Sequence, residues 1–155
     1  MGKTKLMKLF YYLDFSHVKK YACPVTYDQY INLEHGPIPS TILNLVNEAV
    51  DDVDHSVLSD SITFEKFENT GMCRMKPLRP FSEADENFFT ESELDVLKSV
   101  CMRFGDKNTK FIEDASHEEA PWKNTEFLEK ISFSLATGDE DCIVEKEEIE
   151  MCSKL

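Results

Sequence analysis

At 155 residues the chain is long enough to bury roughly 70% of its unfolded surface in one core, while a formal net charge of −13 repels nucleic-acid phosphates unless a basic patch is concentrated somewhere. No stretch approaches the roughly 18 uncharged apolar residues of a membrane span, and the N-terminus leads into an amphipathic run and not a signal peptide's apolar core, so a cytoplasmic protein without a membrane partner is expected. The five cysteines, Cys23, Cys73, Cys101, Cys142 and Cys152, are scattered and never form a C-x-x-C pair, which suggests neither a disulfide framework nor a zinc ribbon and implies reduced thiols.

From Lys3 to Tyr21, Leu6, Leu9, Phe10, Leu13, Val18 and Tyr21 recur at threes and fours, which predicts a helix. Lys3, Lys5, Lys8, Lys19 and Lys20 lie between them and are expected to form its solvated face; direct nucleic-acid binding through them is not favoured. Cys23-Pro24 stops the helix, because proline disfavours helical geometry in the residue before it. Val25 to Leu33 is rich in β-branched and aromatic residues and predicts an extended segment running into a rigid Gly36-Pro37-Ile38-Pro39 turn. Ser40 or Thr41 would cap a second helix carrying Ile42, Leu45, Val46 and Ala49. Asp51, Asp52 and Asp54 oppose the helix dipole and set its end near Val50. Ile62 to Phe67 and Met72 to Leu78, joined through Asn69-Thr70-Gly71, predict a β-hairpin.

Thr90 or Ser92 followed by Glu93 opens a further helix through Leu94, Leu97, Val100, Cys101 and Phe104, with Gly105 at its end. A short helix is expected over Asn108 to Ala115. Ser116 to Trp122 then reads as a compact polar turn in which Ser116 and Glu119 form a capping box. Glu145 to Ser153 predicts an acidic terminal helix. No repeat or linker divides the chain. The expected fold is therefore α+β, a predominantly helical single domain over 1–155 with a small antiparallel hairpin or sheet.

Catalytic spacing is missing. His117, Glu118 and Glu119 are consecutive and point in different directions, whereas helical metal ligands sit at i and i+4. His35 beside Gly36 is expected to be a hydrogen-bonded structural residue, and His17 to pack at the edge of the core. No cysteine has a histidine close in sequence, and no glycine-rich phosphate cradle occurs. No catalytic residue, metal or cofactor is assigned. Phe10, Tyr11, Tyr12 and Phe15 exceed what one buried stripe uses, and with Tyr27 they are the candidate partner-binding residues. The alternative is that another element of the same fold covers them. Residues 1–50 carry five lysines against four acids, and the remainder twelve basic against twenty-six acidic residues, so an acidic interface is expected after Val50.

The run Thr4 to Tyr12, containing Lys5, Leu6 and Leu9, is followed by Pro24-Val25-Thr26, Tyr30, Gly36-Pro37-Ile38-Pro39-Ser40 and finally Ser116-His117-Glu118-Glu119-Ala120-Pro121-Trp122. In this order the motifs resemble the Panacea antitoxin domain, also described as SocA-like or phage-associated GepA-like. The resemblance spans most of the chain and implies a mainly helical domain encoded beside a toxin gene in bacteria or phages, which neutralises the cognate protein toxin by direct binding. It also admits an adaptor that delivers the toxin to an ATP-dependent protease. Lys5, Leu6, Leu9, Gly36, Pro37, Pro39, Ser116, His117 and Trp122 are its motif residues, expected to fix turns. Two features depart from the pattern. Ala22-Cys23 stands where a glycine usually follows the first helix, and the helix that commonly precedes the Lys-Leu motif is missing, so a shortened or differently packed N-terminus is expected. The remaining alternative is a small hydrolase using His117 or His35 with a buried cysteine.

Overall fold

The computed structural model describes residues 1–153; Lys154 and Leu155 lie outside the described residues. The chain is a mostly helical α+β fold built around one long helix, α1 (Lys3–Tyr21). A helix that is apolar on more than one face is buried, and α1 follows that rule: Tyr11, Tyr12, Phe15 and Val18 are in the core. It ends at Ala22, whose backbone is left-handed at φ 68° and whose N–H donates to Val18 O at 2.8 Å. Glycine adopts that conformation without the Cβ penalty, so the substitution for the expected glycine leaves the geometry of the cap unchanged.

The next elements are β1 (Tyr30–Leu33), β2 (Gly36–Pro39) and α2 (Ser40–Asp51). The Gly-Pro-Ile-Pro segment is thus a strand and not the turn that its composition suggests: it pairs antiparallel with β1, Leu33 opposite Gly36 and Tyr30 opposite Pro39. The two prolines lack a donor, which an edge strand tolerates, and β2 is an edge of the three-stranded sheet β2-β1-β5, with β5 at Lys130–Ile131. Nor do Ser40 and Thr41 cap α2. The helix starts after Pro39 without a side-chain cap of its own, and Asp28, far back in the chain, accepts from Thr41 N–H at 3.0 Å and Ile42 N–H at 2.8 Å.

The hairpin forms as expected from β3 (Ile62–Lys66) and β4 (Cys73–Pro77), with Phe64 opposite Met75. Its outer edge is held by the N-terminus: Met75 N–H donates to Met1 O at 2.7 Å, and the Met1 ammonium donates to Met75 O. A short helix α3 (Glu83–Glu86) precedes α4 (Glu91–Phe104), where Thr90 and Glu93 form the expected capping box. Then come α5 (Thr109–His117), α6 (Ala120–Lys123), β5, a 3-10 helix over Phe133–Gly138 and α7 (Lys146–Ser153).

The main core joins Tyr11, Phe15 and Val18 of α1 to Tyr30, Val96, Val100, Phe104, Ile112, Ala136 and Ile149. A second cluster of Met7, Ile38, Val46 and Met75 lies under the hairpin. Cys23 and Cys152 form a disulfide across 129 residues, their Cα atoms 5.5 Å apart. The reading of all five cysteines as reduced thiols fails for this pair, because only the fold brings α7 to the end of α1; Cys73, Cys101 and Cys142 are free. Among the described residues no helix is long and apolar enough to cross a membrane.

Candidate functional site

The motif residues meet where α1 crosses β2 and the α5–α6 junction. Lys8 is 0% exposed, and its Nζ donates to Pro37 O at 3.0 Å. Burial lowers its pKa to about 8, opposed by the nearby Glu113 charge. Gly36, at φ 102°, packs so closely that a Cβ there would lie 2.9 Å from both Lys8 Nζ and Ser116 Oγ. That contact explains a glycine at this position independently of any turn. Asn32 on β1 donates to Trp122 O at 3.1 Å and Thr125 O at 3.0 Å, fastening the sheet to α6.

A second polar knot sits on the next turns of α1. Lys19, 3% exposed, meets Glu119 Oε2 at 2.9 Å, and Asp139 and Asp141 each at 3.0 Å. Burial alone would lower the Lys19 ammonium, but these carboxylates together raise it. Tyr11 Oη donates to Glu119 Oε1 at 2.7 Å. A buried ammonium surrounded by carboxylates is retained only with such pairing. Asp14, also fully buried, accepts from Val25 and Thr26 N–H at 2.7 Å and from Tyr30 Oη at 2.6 Å.

These contacts correct three expectations. Lys8 and Lys19 are not on a solvated face; they enter the core because their partners come from segments distant in sequence. Ser116 and Glu119 do not form a capping box. The helix continues through His117, so Ser116 bonds back to Glu113 O at 2.7 Å while Glu119 is occupied by Tyr11 and Lys19. The aromatic surplus of α1 is internal: Tyr11 stacks on Phe15 at 4.5 Å, Tyr12 packs on Phe104 at 4.4 Å, and Phe15 meets Tyr30 at 5.3 Å. Of the candidate partner-binding residues, Tyr11, Tyr12 and Phe15 are therefore inaccessible, Phe10 is partly buried, and Tyr27 alone is largely exposed. Arg103 also covers Tyr12, its guanidinium 5.2 Å from the ring centroid.

The other motif side chains also support the scaffold. His117 stacks on Trp122 with centroids 4.0 Å apart and planes 20° apart, and burial lowers its pKa. Lys5 donates to Gly105 O at 2.9 Å, and Leu6 and Leu9 pack against the two cores. His17 sits at the core's edge as expected, bridging Cys23 O and Ser92 Oγ.

Two openings flank the start of α1. A cavity of about 560 Å³ is lined by Lys3, His35, Phe64, Met72, Cys73 and Glu113, and an apolar groove of about 310 Å³ by Met7, Leu33, Ile38, Leu43 and Phe127. His35 Nδ1 is 3.3 Å from Glu113 Oε1, but among the described residues no hydrogen bond joins His35 to the Cys73 thiol, so this trio lacks the base–nucleophile contact that thiol chemistry needs. No group of three metal-ligating side chains converges among the described residues.

Further rings outside the two cores lie in the segment between β4 and α4. Phe81, Phe88 and Phe89 line a depression of about 440 Å³ together with Asp60, Arg79 and Asp85. Sequence reasoning passed over this patch although a signal was present: Phe88 and Phe89 precede the Thr90 cap, so neither belongs to the apolar stripe of α4.

A family model described as antitoxin SocA-like, Panacea domain, matches residues 6–123. No curated protein matches the chain, and no solved structure does.

Proposed function

From the premise that the chain belongs to the SocA-like Panacea antitoxin family, we propose that it is one antitoxin domain acting in the cytoplasm, which neutralises a cognate protein toxin by direct binding. The observation that carries this reading is the family match, which runs over residues 6–123 and so takes in Lys8, Gly36, Ser116 and Trp122 of the α1–β2–α6 junction. The toxin is the product of the adjacent gene. Binding has a physical basis in the distribution of charge, twenty-six acids against twelve basic residues after Val50, because an acidic surface steers and holds a basic one.

Co-expression tests the reading. The neighbouring product alone is expected to arrest growth, growth is expected to recover with this chain, and the purified pair is expected to co-elute. Toxin abundance is expected to stay constant during recovery. An arrest that this chain does not relieve refutes the function, and relief accompanied by disappearance of the toxin refutes neutralisation by binding in favour of delivery to a protease.

A further inference from the structure

The segment Leu78 to Asp95 places its aromatic rings outside the two cores and is rich in acids. Phe88 is 85% exposed, Phe81 57% and Leu78 52%. The same eighteen positions carry six acids, Glu83, Asp85, Glu86, Glu91, Glu93 and Asp95, against Arg79 as their one basic residue besides none of lysine type. Exposed phenylalanine is costly to leave in water, and contiguous exposed apolar surface with a polar rim marks contact sites.

The patch is also held in shape. Asp85 accepts both Arg79 guanidinium nitrogens at 2.7 Å, Ser82 N–H at 2.8 Å and Ser82 Oγ at 3.0 Å. This fork fixes the loop that carries Phe81, whose ring centroid is 6.4 Å from that of Phe89. A preformed surface loses less entropy on binding than one that must be ordered. Arg79 and Asp85 thereby neutralise one another, and Lys98 lies 3.5 Å from Glu86, so the charge this segment still offers to a partner is that of Glu83, Glu91, Glu93 and Asp95, which is negative. A second copy of this chain would bring the same acidic rim against itself, and like charges in register oppose association. The groove beside α1 offers no comparable signal, since Lys3, Glu34 and His35 on its edge are of mixed sign.

We propose that Phe81, Phe88 and Phe89, with Asp60 in the same depression and Glu83 and Glu91 on the flanking helices α3 and α4, form the docking surface for a cationic protein surface that inserts apolar side chains among the rings. This rests on the antitoxin reading and names the surface by which the toxin is held.

The test uses the full chain and the product of the adjacent gene, with Phe81→Ser/Phe88→Ser and Glu83→Lys/Glu91→Lys as variants. These side chains are outside the core, so circular dichroism is expected to match the unsubstituted protein, with Tm unchanged for the serine pair and slightly lower for the lysine pair, whose acids sit in the first turns of α3 and α4. The serine pair is expected to weaken the complex by at least about 30-fold, the scale of an interface anchor, and to lose rescue of growth. The lysine pair is expected to slow association and flatten its dependence on salt. If the unsubstituted chain neutralises and both variants do so equally well, the docking surface is wrong while the antitoxin reading stands. If the unsubstituted chain fails to neutralise, both fall. If it elutes as a dimer that the serine pair converts to a monomer, the patch serves self-association and the proposal is overturned.

Discussion

Gly36→Ala introduces a methyl group at the point where β2 crosses α1. The new Cβ would lie 2.9 Å from Lys8 Nζ and 2.9 Å from Ser116 Oγ, with Lys8 Cε at 3.2 Å. Lys8 is at the end of a flexible side chain but has little freedom to retreat, because its ammonium is buried and bonded to Pro37 O. The backbone adds its own cost, since φ is 102° and an alanine held in that region is strained by about 1–3 kcal/mol. Overpacking adds about 1–3 kcal/mol, giving a loss of about 3 kcal/mol in the lower half of the combined range. For a chain of this length that corresponds to a fall in Tm of about 6–12 °C. Gly71 supplies the control: its φ is 66°, and nothing lies within 4 Å of an added Cβ, so Gly71→Ala carries backbone strain alone. Thermal denaturation of both variants by circular dichroism checks the argument. A Gly36→Ala loss no greater than that of Gly71→Ala refutes the close contact, and an unchanged Tm refutes the conformational requirement as well.

Lys8 makes stability depend on pH in a definite direction. Its pKa is about 8 when folded against 10.5 otherwise, so between those values the unfolded chain holds the extra proton and stability rises with pH, by about 3 kcal/mol over the full interval. Lys8→Met is expected to remove this rise; identical slopes for the two proteins between pH 7.5 and 9.5 in urea denaturation refute it. Asp28→Ala is expected to cost about 2 kcal/mol by orphaning the Thr41 and Ile42 amides that begin α2, measured as a shift in the urea midpoint. Cys152→Ser is expected to lower stability by about 2–5 kcal/mol through the loss of a cross-link spanning 129 residues. Equal Tm values with and without reductant, or three unpaired thiols rising to five only on denaturation without reductant, contradict that bond.

Local signals located α1, α2, α4, α5, α7 and the hairpin because their causes are local, whereas α3, α6 and the 3-10 helix are not among the expected elements. Thr90 and Glu93 satisfy each other's backbone three residues apart, and the Asn69-Thr70-Gly71 turn joins β3 to β4 without help from the rest of the chain. The motif junction was legible as a set of residues but not as an arrangement. Gly36 suggested a turn because glycine at a turn is the commonest local reason for it, whereas here it begins a strand with a positive φ and the approach of Lys8 and Ser116 leaves no room for a Cβ. Asp28 as the cap of α2 was hidden by the thirteen positions between them. In the candidate interface, Tyr11, Tyr12 and Phe15 of α1 are internal, while Phe81 and Phe88, more dispersed in sequence, are exposed.

The sequence by itself determined the helical content, the excess of negative charge after Val50 and the family, since each follows from composition, from periodicity or from motifs read in order. Only the tertiary structure decided which charged groups are solvated and which aromatic rings are free. Lys8, Lys19 and Asp14 are buried because segments up to about a hundred residues away supply their partners. Burial of an ionised group is a balance between desolvation and pairing, and pairing across such distances exists only once the chain has folded.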